Sequence, residues 1–405
     1  MILFSWAAVL LLVVLDQVSC QSTFGNPVQD MSNRNNRFAA RLFRALASRT
    51  DDNVLVSPYP LFAGLSALAG ATSAPDEEQL LKALGLTGLE TQAVPDLFQS
   101  LRTAMLPVEQ PASLKQGMAI FHAENVQMPE SLVRLVPSKY GGKIQQLQFS
   151  SPHEAVDSIN RWAQGQAGDQ VQDVLGTVDT STQLMLATAS SYQTNFLPAF
   201  NSSLTLDERF YIDKYHVVMV PMMLGAGKYF LAYDPAVQVG VVQLQMNAGK
   251  AMLILLPDEG VDIGSVEEEV TSEKIQSWTR QLKKTKLEVQ LPRFLLQQSF
   301  FLRDVLKTLG VTRLFPEDEG TKAAQVSLAP SLSVRSVAHA CGTYLQVVSK
   351  AVLCVDERSD AAPAAAAFQT PPPRLTVNRP FVFTVYDQST GGVLLIGRVI
   401  DPTRQ

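Results

Sequence analysis

Hydrophobic spacing in the first half of the chain is mostly helical. Phe38, Leu42, Phe43 and Leu46 fall on one face of a helix, and Ser32 is a candidate N-cap for that helix. Further helices are predicted over residues 61–71, over residues 76–86, from residue 158 onward, and over residues 300–315 with an interruption at Gly310. The pattern therefore predicts a helix-rich first half.

In the second half the pattern changes to short apolar runs of strand length. Such runs occupy residues 217–223, 251–257 and 287–294, and an earlier run at 53–58 precedes the first buried helix. The chain ends in two apolar segments joined through residues 389–392, Ser-Thr-Gly-Gly, which is typical of a β-hairpin.

The absence of a low-complexity linker between these two halves favours one domain. We expect residues 38–402 to form a single α+β domain with a sheet of at least five strands, in which residues 382–399 are a buried hairpin.

The N-terminus has the features of a secretory signal peptide. An apolar run at residues 7–15 is followed by Ser19 and Cys20, and the run is too short to cross a bilayer comfortably. Because no Lys or Arg precedes the run, an uncleaved anchor is the alternative. We expect residues 1–20 to be a signal peptide and residues 21–33 to be a flexible segment. We also expect a secreted, extracellular protein with an N-glycan on Asn201, in the sequon Asn-Ser-Ser.

Composition narrows the function classes. Hydrophobic residues make up 46% of the chain, charged residues 18%, and the net charge is −5, so there is no basic surplus for binding nucleic acid. No two histidines have metal-ligand spacing, and the sequence has neither a nucleophile elbow nor a phosphate-binding loop. We therefore expect no catalytic residues, metal or cofactor. Cys341 and Cys354 are predicted to be free thiols.

The order of the apolar segments resembles the serpin family. The segments are NVLVSP before a small-residue helix, INRW, VPMM, AMLILLP, LPRF before LGVTRLF, and the terminal NRPFVFTVYDQ and GRVIDP. The NRPF block is the most specific of them. The resemblance implies a single-domain fold over residues 34–405, with a large central sheet, smaller sheets, helices mostly in the N-terminal half and an exposed reactive-centre loop at about 358–376.

The resemblance also implies a role for that loop. In serpins a protease cleaves the loop as bait, and its N-terminal part then inserts as a new central strand of the large sheet and deforms the trapped enzyme. The residues implied for the hinge are Glu357, Ser359, Asp360, Ala361, Ala362 and Pro363, and the candidate reactive bond joins Arg374 to Leu375. Residues 361–367 have the small side chains that insertion into a packed sheet requires.

Several features of the loop argue against insertion. Where inhibitory serpins usually have glycine and then a small residue, this chain has Ser359 and Asp360, and an unpaired carboxylate is costly to bury. Pro363 would remove a hydrogen bond from the inserted strand. The loop is also short for an inhibitor, and three prolines at 371–373 stiffen it.

The resemblance places further residues in the regions that control opening of the sheet. Ser57 and His339 match two positions of the polar cluster beneath the sheet, called the shutter, and Thr188 stands where the cluster usually has asparagine. At the top of the sheet, called the breach, Phe196 replaces the usual tryptophan. These departures fit either drift in a diverged inhibitor or relaxed selection after inhibition was lost.

Ten residues, 340–349, interrupt the match just before the hinge. In the family the segment resembling residues 350–357 directly follows the shutter histidine. A central strand cannot absorb ten residues without a loop or a large bulge, so the insert is either a real excursion or a sequence error. The alternation after Gln346 predicts that residues 347–355 form the strand, with Ser349 in the place of His339.

Two functions are therefore open. One is a secreted serpin with weak or lost inhibitory activity that acts by binding or as a carrier, and the other is an extracellular inhibitor of a trypsin-like serine protease with Arg374 as bait. A basic cluster indicates either a weak glycosaminoglycan site or a polar turn before a strand, and it consists of Arg280, Lys283, Lys284 and Lys286. We expect a monomer with no membrane span and no nucleic-acid partner.

Overall fold

The computed structural model describes residues 26–106, 113–171, 173–315, 344–358 and 372–405. Its α-helices are α1 (Pro27–Ala47), α2 (Pro58–Ala69), α3 (Ala74–Leu84), α4 (Val94–Met105), α5 (Glu130–Leu135), α6 (Pro152–Ala167), α7 (Ile263–Glu269), α8 (Ser272–Gln281) and α9 (Arg303–Thr308). A π-helical turn (Val136–Tyr140) extends α5, and a 3-10 turn covers Ser202–Leu204. As expected, most of the described helices lie in the N-terminal half.

The strands include the predicted runs with some changes of extent: those at 217–223 and 251–257 are longer, the one at 53–58 is shorter, and the run at 287–294 is divided between two strands. They are β1 (Val54–Val56), β2 (Leu114–Ala123), β3 (Lys143–Leu147), β4 (Thr182–Gln193), β5 (Phe196–Leu197), β6 (Leu206–Tyr211), β7 (Val217–Asp234), β8 (Val239–Met246), β9 (Lys250–Pro257), β10 (Lys283–Pro292), β11 (Phe294–Phe301), β12 (Tyr344–Val355), β13 (Arg374–Thr376), β14 (Phe381–Asp387) and β15 (Val393–Val399). Each predicted run therefore overlaps a strand, but the single strand predicted over 287–294 is wrong in its extent.

Helix α1 begins earlier than the sequence analysis predicted. Asn26 is its N-cap, and the Asn26 side chain accepts a hydrogen bond from the Val28 amide at 3.1 Å. Ser32 lies inside the helix, where its buried hydroxyl donates to the Thr390 carbonyl oxygen at 2.8 Å. The capping role of Ser32 is therefore wrong, and residues 27–33 are helical rather than flexible, because this turn packs on the C-terminal hairpin.

The helix predicted over residues 300–315 is also wrong in its extent. Phe300 and Phe301 end strand β11, and the Leu302 amide donates to the Val347 carbonyl at 2.9 Å, so the chain stays beside β12. Only Arg303–Thr308 is helical, and Gly310 then turns the chain with a φ of 96°. Pairing with a distant strand overrides the local helical pattern here.

The described strands form two sheets. The five-stranded sheet has the order β11-β12-β4-β2-β3, and the ten-stranded sheet follows β1-β15-β14-β9-β8-β7-β10-β13, with β5 on β8 and β6 on β7. Strands β14 and β15 pair antiparallel, with Val382 opposite Arg398. The predicted large sheet and the buried terminal hairpin are both confirmed.

Helices cover both faces of the five-stranded sheet. Helix α2 lies so close beneath it that a Cβ on Gly64 would stand 2.6 Å from Leu186 Cδ1 in β4, so a larger residue at this position would require the Leu186 side chain to move. On the opposite face, α6 packs Ile159 and Trp162 into a cluster with Val348 and Val352 of β12. The central strands β4 and β12 are consequently buried on both sides.

Candidate functional site

The centre of the five-stranded sheet is a parallel pairing of β12 with β4, which we call the β4–β12 seam. It runs from Tyr344 opposite Thr182 to Cys354 opposite Gln193, with one irregularity after Tyr344. The prediction that residues 347–355 form the strand is confirmed, and the strand also includes residues 344–346 of the insert. His339 and residues 340–343 lie outside the described residues.

A hydrogen bond crosses the seam in its buried underside. Thr188 Oγ1 donates to Ser349 Oγ at 2.9 Å, and both side chains are fully buried. Ser57, at the start of α2, donates to the Leu394 carbonyl oxygen at 3.0 Å, and its hydroxyl also lies 3.4 Å from Gln116 Oε1 on β2. The structure thus brings Thr188 and Ser349 together beneath the sheet, and Ser57 lies between the C-terminal hairpin and Gln116 of the same layer.

Other polar groups beneath the seam lack partners. Gln116 on β2 lies opposite Ser190 on β4, and neither Gln116 Nε2 nor Ser190 Oγ has a hydrogen bond to any described residue. A buried polar group without a partner costs roughly 1–3 kcal/mol unless water satisfies it. The layer under the seam therefore contains buried polar atoms without hydrogen bonds, which a purely apolar core would not have.

The seam ends at Asp356, which fixes the start of the loop. Asp356 Oδ1 accepts from Gln193 Nε2 at 2.8 Å and from the Arg358 amide at 3.0 Å, while Oδ2 lies 2.9 Å from Arg358 Nε. The Thr194 amide also donates to the Cys354 carbonyl oxygen at 3.0 Å. These contacts hold the end of β12 against the end of β4.

Glu357 makes a second attachment at the same end of the sheet. Its Oε1 accepts from Thr205 Oγ1 at 2.6 Å, and its Oε2 lies 3.6 Å from an Arg293 guanidinium nitrogen. A cavity of about 800 Å³ opens beside these groups. Phe200 lines that cavity and meets the buried Phe196 edge to face, with ring centroids 5.2 Å apart. The aromatic pair at the breach is thus intact although the tryptophan is replaced.

Cys354 is a free, half-buried thiol in this region. Burial raises its thiol pKa above the ordinary value, and the nearby Asp356 carboxylate raises it further. Cys354 is therefore protonated near neutral pH and is a poor nucleophile. Cys341 lies outside the described residues.

The far end of the loop is held in the ten-stranded sheet. Strand β13 pairs parallel with β10, with the Glu288 amide donating to the Pro373 carbonyl at 3.0 Å. Arg374 Nε and one of its terminal nitrogens lie 3.0 and 2.9 Å from Glu288 Oε2. The expectation that residues 374–376 belong to an exposed loop is wrong, because their backbone is paired in a sheet.

The remaining hinge residues cannot be placed. Ser359, Asp360, Ala361, Ala362 and Pro363 lie outside the described residues. Sequence reasoning also missed the partners of the described hinge, since Gln193 and Thr205 are more than 150 positions away from the acids they hold. No periodic or motif signal marks such a pairing.

The sequon and the basic cluster both lie at the surface. Asn201 precedes the 3-10 turn, and its side-chain oxygen accepts from the Ser203 amide at 3.1 Å. Arg280 and the three lysines of the cluster are exposed where α8 passes directly into β10, and Lys228 of β7 stands opposite Lys286. A continuous helix-to-strand junction replaces the polar turn of the sequence analysis, and the surface it forms is positively charged.

Membrane-spanning helices and metal-binding clusters are both absent from the described residues. No described helix combines the length and hydropathy needed to cross a bilayer. The same residues contain no group of three His, Cys, Asp or Glu side chains arranged to hold a metal ion.

Comparisons with known proteins agree with this geometry. The family model described as serpin, serine protease inhibitor, matches residues 33–402. Protein Z-dependent protease inhibitor of Homo sapiens is 26% identical over 385 residues, which cover 93% of this chain and 83% of that protein. Leukocyte elastase inhibitor of Bos taurus is 28% identical over 393 residues, covering 93% of this chain and all of that protein.

A solved structure has the same fold along its whole length. The crystal structure of mouse protein-Z dependent protease inhibitor superposes with a TM-score of 0.82 at 25% identity, covering 93% of this chain and 98% of that one.

Proposed function

Because the chain belongs to the serpin family, we propose that it is a secreted serpin that traps proteases weakly or not at all and acts by binding or carrying a ligand. Trapping by a serpin requires the hinge of the loop to enter the large sheet, so the hinge residues determine whether this chain can trap a protease. The relevant slot in this chain is the β4–β12 seam.

The observation that carries the proposal is the burial of both faces of the seam. A strand that turned back after Glu357 would run antiparallel to β4 and β12, whose middle residues are buried on both sides. Asp360 and Pro363 follow Glu357 by three and six positions, so they would enter the upper part of this slot. Further insertion would carry Asp360 from the half-buried end at Cys354 and Gln193 towards the middle of the slot, where both faces are buried.

The energetic consequence is a weak gain from insertion. Burial of Asp360 and loss of a ladder hydrogen bond at Pro363 should each cost on the order of 1–3 kcal/mol. Separation of β12 from β4 must also break the Gln193–Asp356 contact and the Thr188–Ser349 hydrogen bond. We expect these costs to cancel most of the gain from new backbone pairing.

Calorimetry on intact and loop-nicked protein tests this proposal. The loop is cut with trypsin, and the cut is located by mass spectrometry because trypsin can act after Arg358 as well as Arg374. We expect a cut at Arg374 to leave the melting temperature nearly unchanged. A rise of tens of degrees would show full insertion and overturn the proposal.

A hinge variant supplies the positive control. Replacing Asp360 with Thr and Pro363 with Gly removes both obstacles, so nicking of this variant should raise its melting temperature. If nicking has no effect on the variant either, the hinge residues do not limit insertion, and the short loop becomes the cause to test.

The alternative function is inhibition of a trypsin-like serine protease with Arg374 as bait. Its support is the naming of relatives at 26–28% identity as protease inhibitors. The pairing of Arg374 in β13 weighs against it, because a protease cleft needs an extended segment with a free backbone. An SDS-stable covalent complex with trypsin or thrombin would favour inhibition, whereas clean cleavage would favour the proposal.

A further inference from the structure

A second cavity lies among the helices, far along the chain from the hinge. It has a volume of about 520 Å³ and is bounded by α2, α3, the start of α4, α5 and the π-helical turn. This volume is within the roughly 300–1,000 Å³ of small-molecule sites. Its apolar lining includes Leu81, Val94, Leu132 and Leu135.

One wall of this cavity carries a polar group without a partner. Ser66 is 4% exposed, and its Oγ makes no hydrogen bond to any described residue. The Tyr140 ring lines the same wall, and burial raises its hydroxyl pKa to about 12, an effect that a side-chain interaction with the Ser66 hydroxyl partly offsets. The two hydroxyls are therefore neighbours, although no hydrogen bond of normal geometry joins Ser66 to Tyr140. The wall thus presents two neutral hydroxyl groups, each able to donate or accept.

The charged side chains of the lining disfavour an anion. Lys139 Nζ is already engaged, at 2.6 Å from Asp96 Oδ1 and 2.8 Å from Gln99 Oε1. Asp96 and Glu77 also line the cavity, so its carboxylates outnumber its ammonium group. A sulfonate or carboxylate would be repelled, and it would find Lys139 occupied.

We propose that this cavity binds a neutral, compact, largely apolar molecule that carries one hydrogen-bonding group, and that this group pairs with Ser66. The apolar side chains supply most of the affinity through burial, while the serine hydroxyl fixes the orientation. This inference names a ligand class and a site for the binding function proposed above and rests on that function.

Fluorescence titration with a matched pair of probes tests the proposal. N-phenyl-1-naphthylamine is neutral and has one N–H donor, whereas 8-anilinonaphthalene-1-sulfonate has the same rings with an added anionic group. We expect saturable binding of the neutral probe at one site, with the sulfonated probe at least tenfold weaker. Tighter binding of the sulfonated probe, or no saturable binding of the neutral one, would overturn the proposal.

Two tryptophan variants on helix α5 locate the site. Leu135→Trp fills the cavity and should weaken the neutral probe at least tenfold. Val133→Trp is the matched control, because Val133 is 46% exposed and does not line the cavity, and its affinity should stay within twofold of the wild type. Equal affinities in the two variants would place the probe elsewhere and contradict the proposal.

Ser66→Ala decides the case if Leu135→Trp fails to fold. Loss of one hydrogen bond should weaken the neutral probe about fivefold, with an unchanged melting temperature for the free protein. An unchanged probe affinity would contradict the role of Ser66 and, with it, the proposed site.

Failure of this inference is distinguishable from failure of the proposed function. A flat response to nicking with no probe binding removes only the cavity site. Probe binding in a protein that gains tens of degrees on nicking removes only the non-trapping function.

Discussion

The C-terminal hairpin and the β4–β12 seam are both buried, but they differ in how their polar groups are satisfied. In the hairpin, each buried polar side chain is hydrogen-bonded: Thr384 to Leu395, Thr390 to Asp387, and Arg398 to Glu267. Beneath the seam, Gln116 Nε2 and Ser190 Oγ have no partner among the described residues.

This contrast indicates that the C-terminal hairpin is held together more strongly than the β4–β12 seam. Asp387 in the hairpin accepts hydrogen bonds from Lys250, Ser389 and Thr390, so loss of Lys250 would leave a buried carboxylate without its counter-ion. The seam is held by backbone pairing and by single side-chain contacts. Two charged residues, Lys350 and Asp356, are buried at the seam. The hairpin instead takes part in two buried ion pairs, Lys250–Asp387 and Arg398–Glu267. Disruption of the hairpin therefore breaks buried ion pairs, and parting of the seam mainly breaks backbone pairing.

The largest expected effect is the loss of Lys250. Its Nζ lies 2.7 Å from Asp387 Oδ2 and also donates to the Met105 carbonyl oxygen, with both side chains about 95% buried. Lys250→Met should lower the free energy of unfolding by about 3–5 kcal/mol, because Asp387 is left as an uncompensated buried charge.

Urea unfolding measures this loss. Arg37→Met is the matched control, since the Arg37–Glu273 ion pair is more than 60% exposed at each side chain. Its loss should cost less than about 1 kcal/mol. Equal losses of unfolding free energy in the two variants would show that burial does not make the Lys250–Asp387 pair more stabilising than an exposed pair.

The pH dependence of this difference is the next prediction. Burial raises the pKa of Asp387, but hydrogen bonds from Lys250, Ser389 and the Thr390 amide outweigh burial and hold it below its ordinary value of 3.8. The wild type therefore keeps this stabilisation above about pH 4 and loses it as the pH falls through the folded pKa.

In Lys250→Met the direction of the Asp387 pKa shift reverses. Burial then dominates and raises the pKa of Asp387, so protonation stabilises the folded variant as the pH falls from 7 towards 4. The gap in unfolding free energy between wild type and variant should shrink over this interval. A gap that stays constant from pH 7 to pH 4 would show that Asp387 is not the group responsible.

Smaller effects are expected at the seam. Ser349→Ala leaves Thr188 buried without its partner and should cost about 1–2 kcal/mol, whereas the double variant Thr188→Val with Ser349→Ala should be closer to the wild type. A double-mutant cycle in urea measures the coupling. Additive single effects would mean that the hydrogen bond across the seam is not formed in solution.

The sequence predicted the hairpin better than the hinge for a physical reason. Two continuous apolar runs and the glycines at 391 and 392 are local signals, and they sufficed for β14 and β15. The contacts of Asp356 and Glu357 depend on Gln193 and Thr205, which only the folded sheet brings near. The failed helix at Phe300 and Phe301 has the same origin, because pairing with β12 is a property of the fold.

The smallest expected effect concerns strand β13, which holds the C-terminal end of the loop. The Arg374 side chain is 49% exposed in its ion pair with Glu288, and β13 is also held by the Val377 amide, which donates to the Gln290 carbonyl at 2.8 Å. Arg374→Gln should lower the free energy of unfolding by less than about 1 kcal/mol, since an exposed ion pair contributes little. Hydrogen exchange at the Val377 amide should rise only a few-fold, because the backbone pairing persists.

Arg404→Gln is the control, because its 70% exposed side chain pairs with Asp52 and Asp401 away from β13. This variant should leave the exchange at Val377 unchanged. Full loss of protection at Val377 in Arg374→Gln would show that the ion pair, rather than the strand, holds the loop end in place.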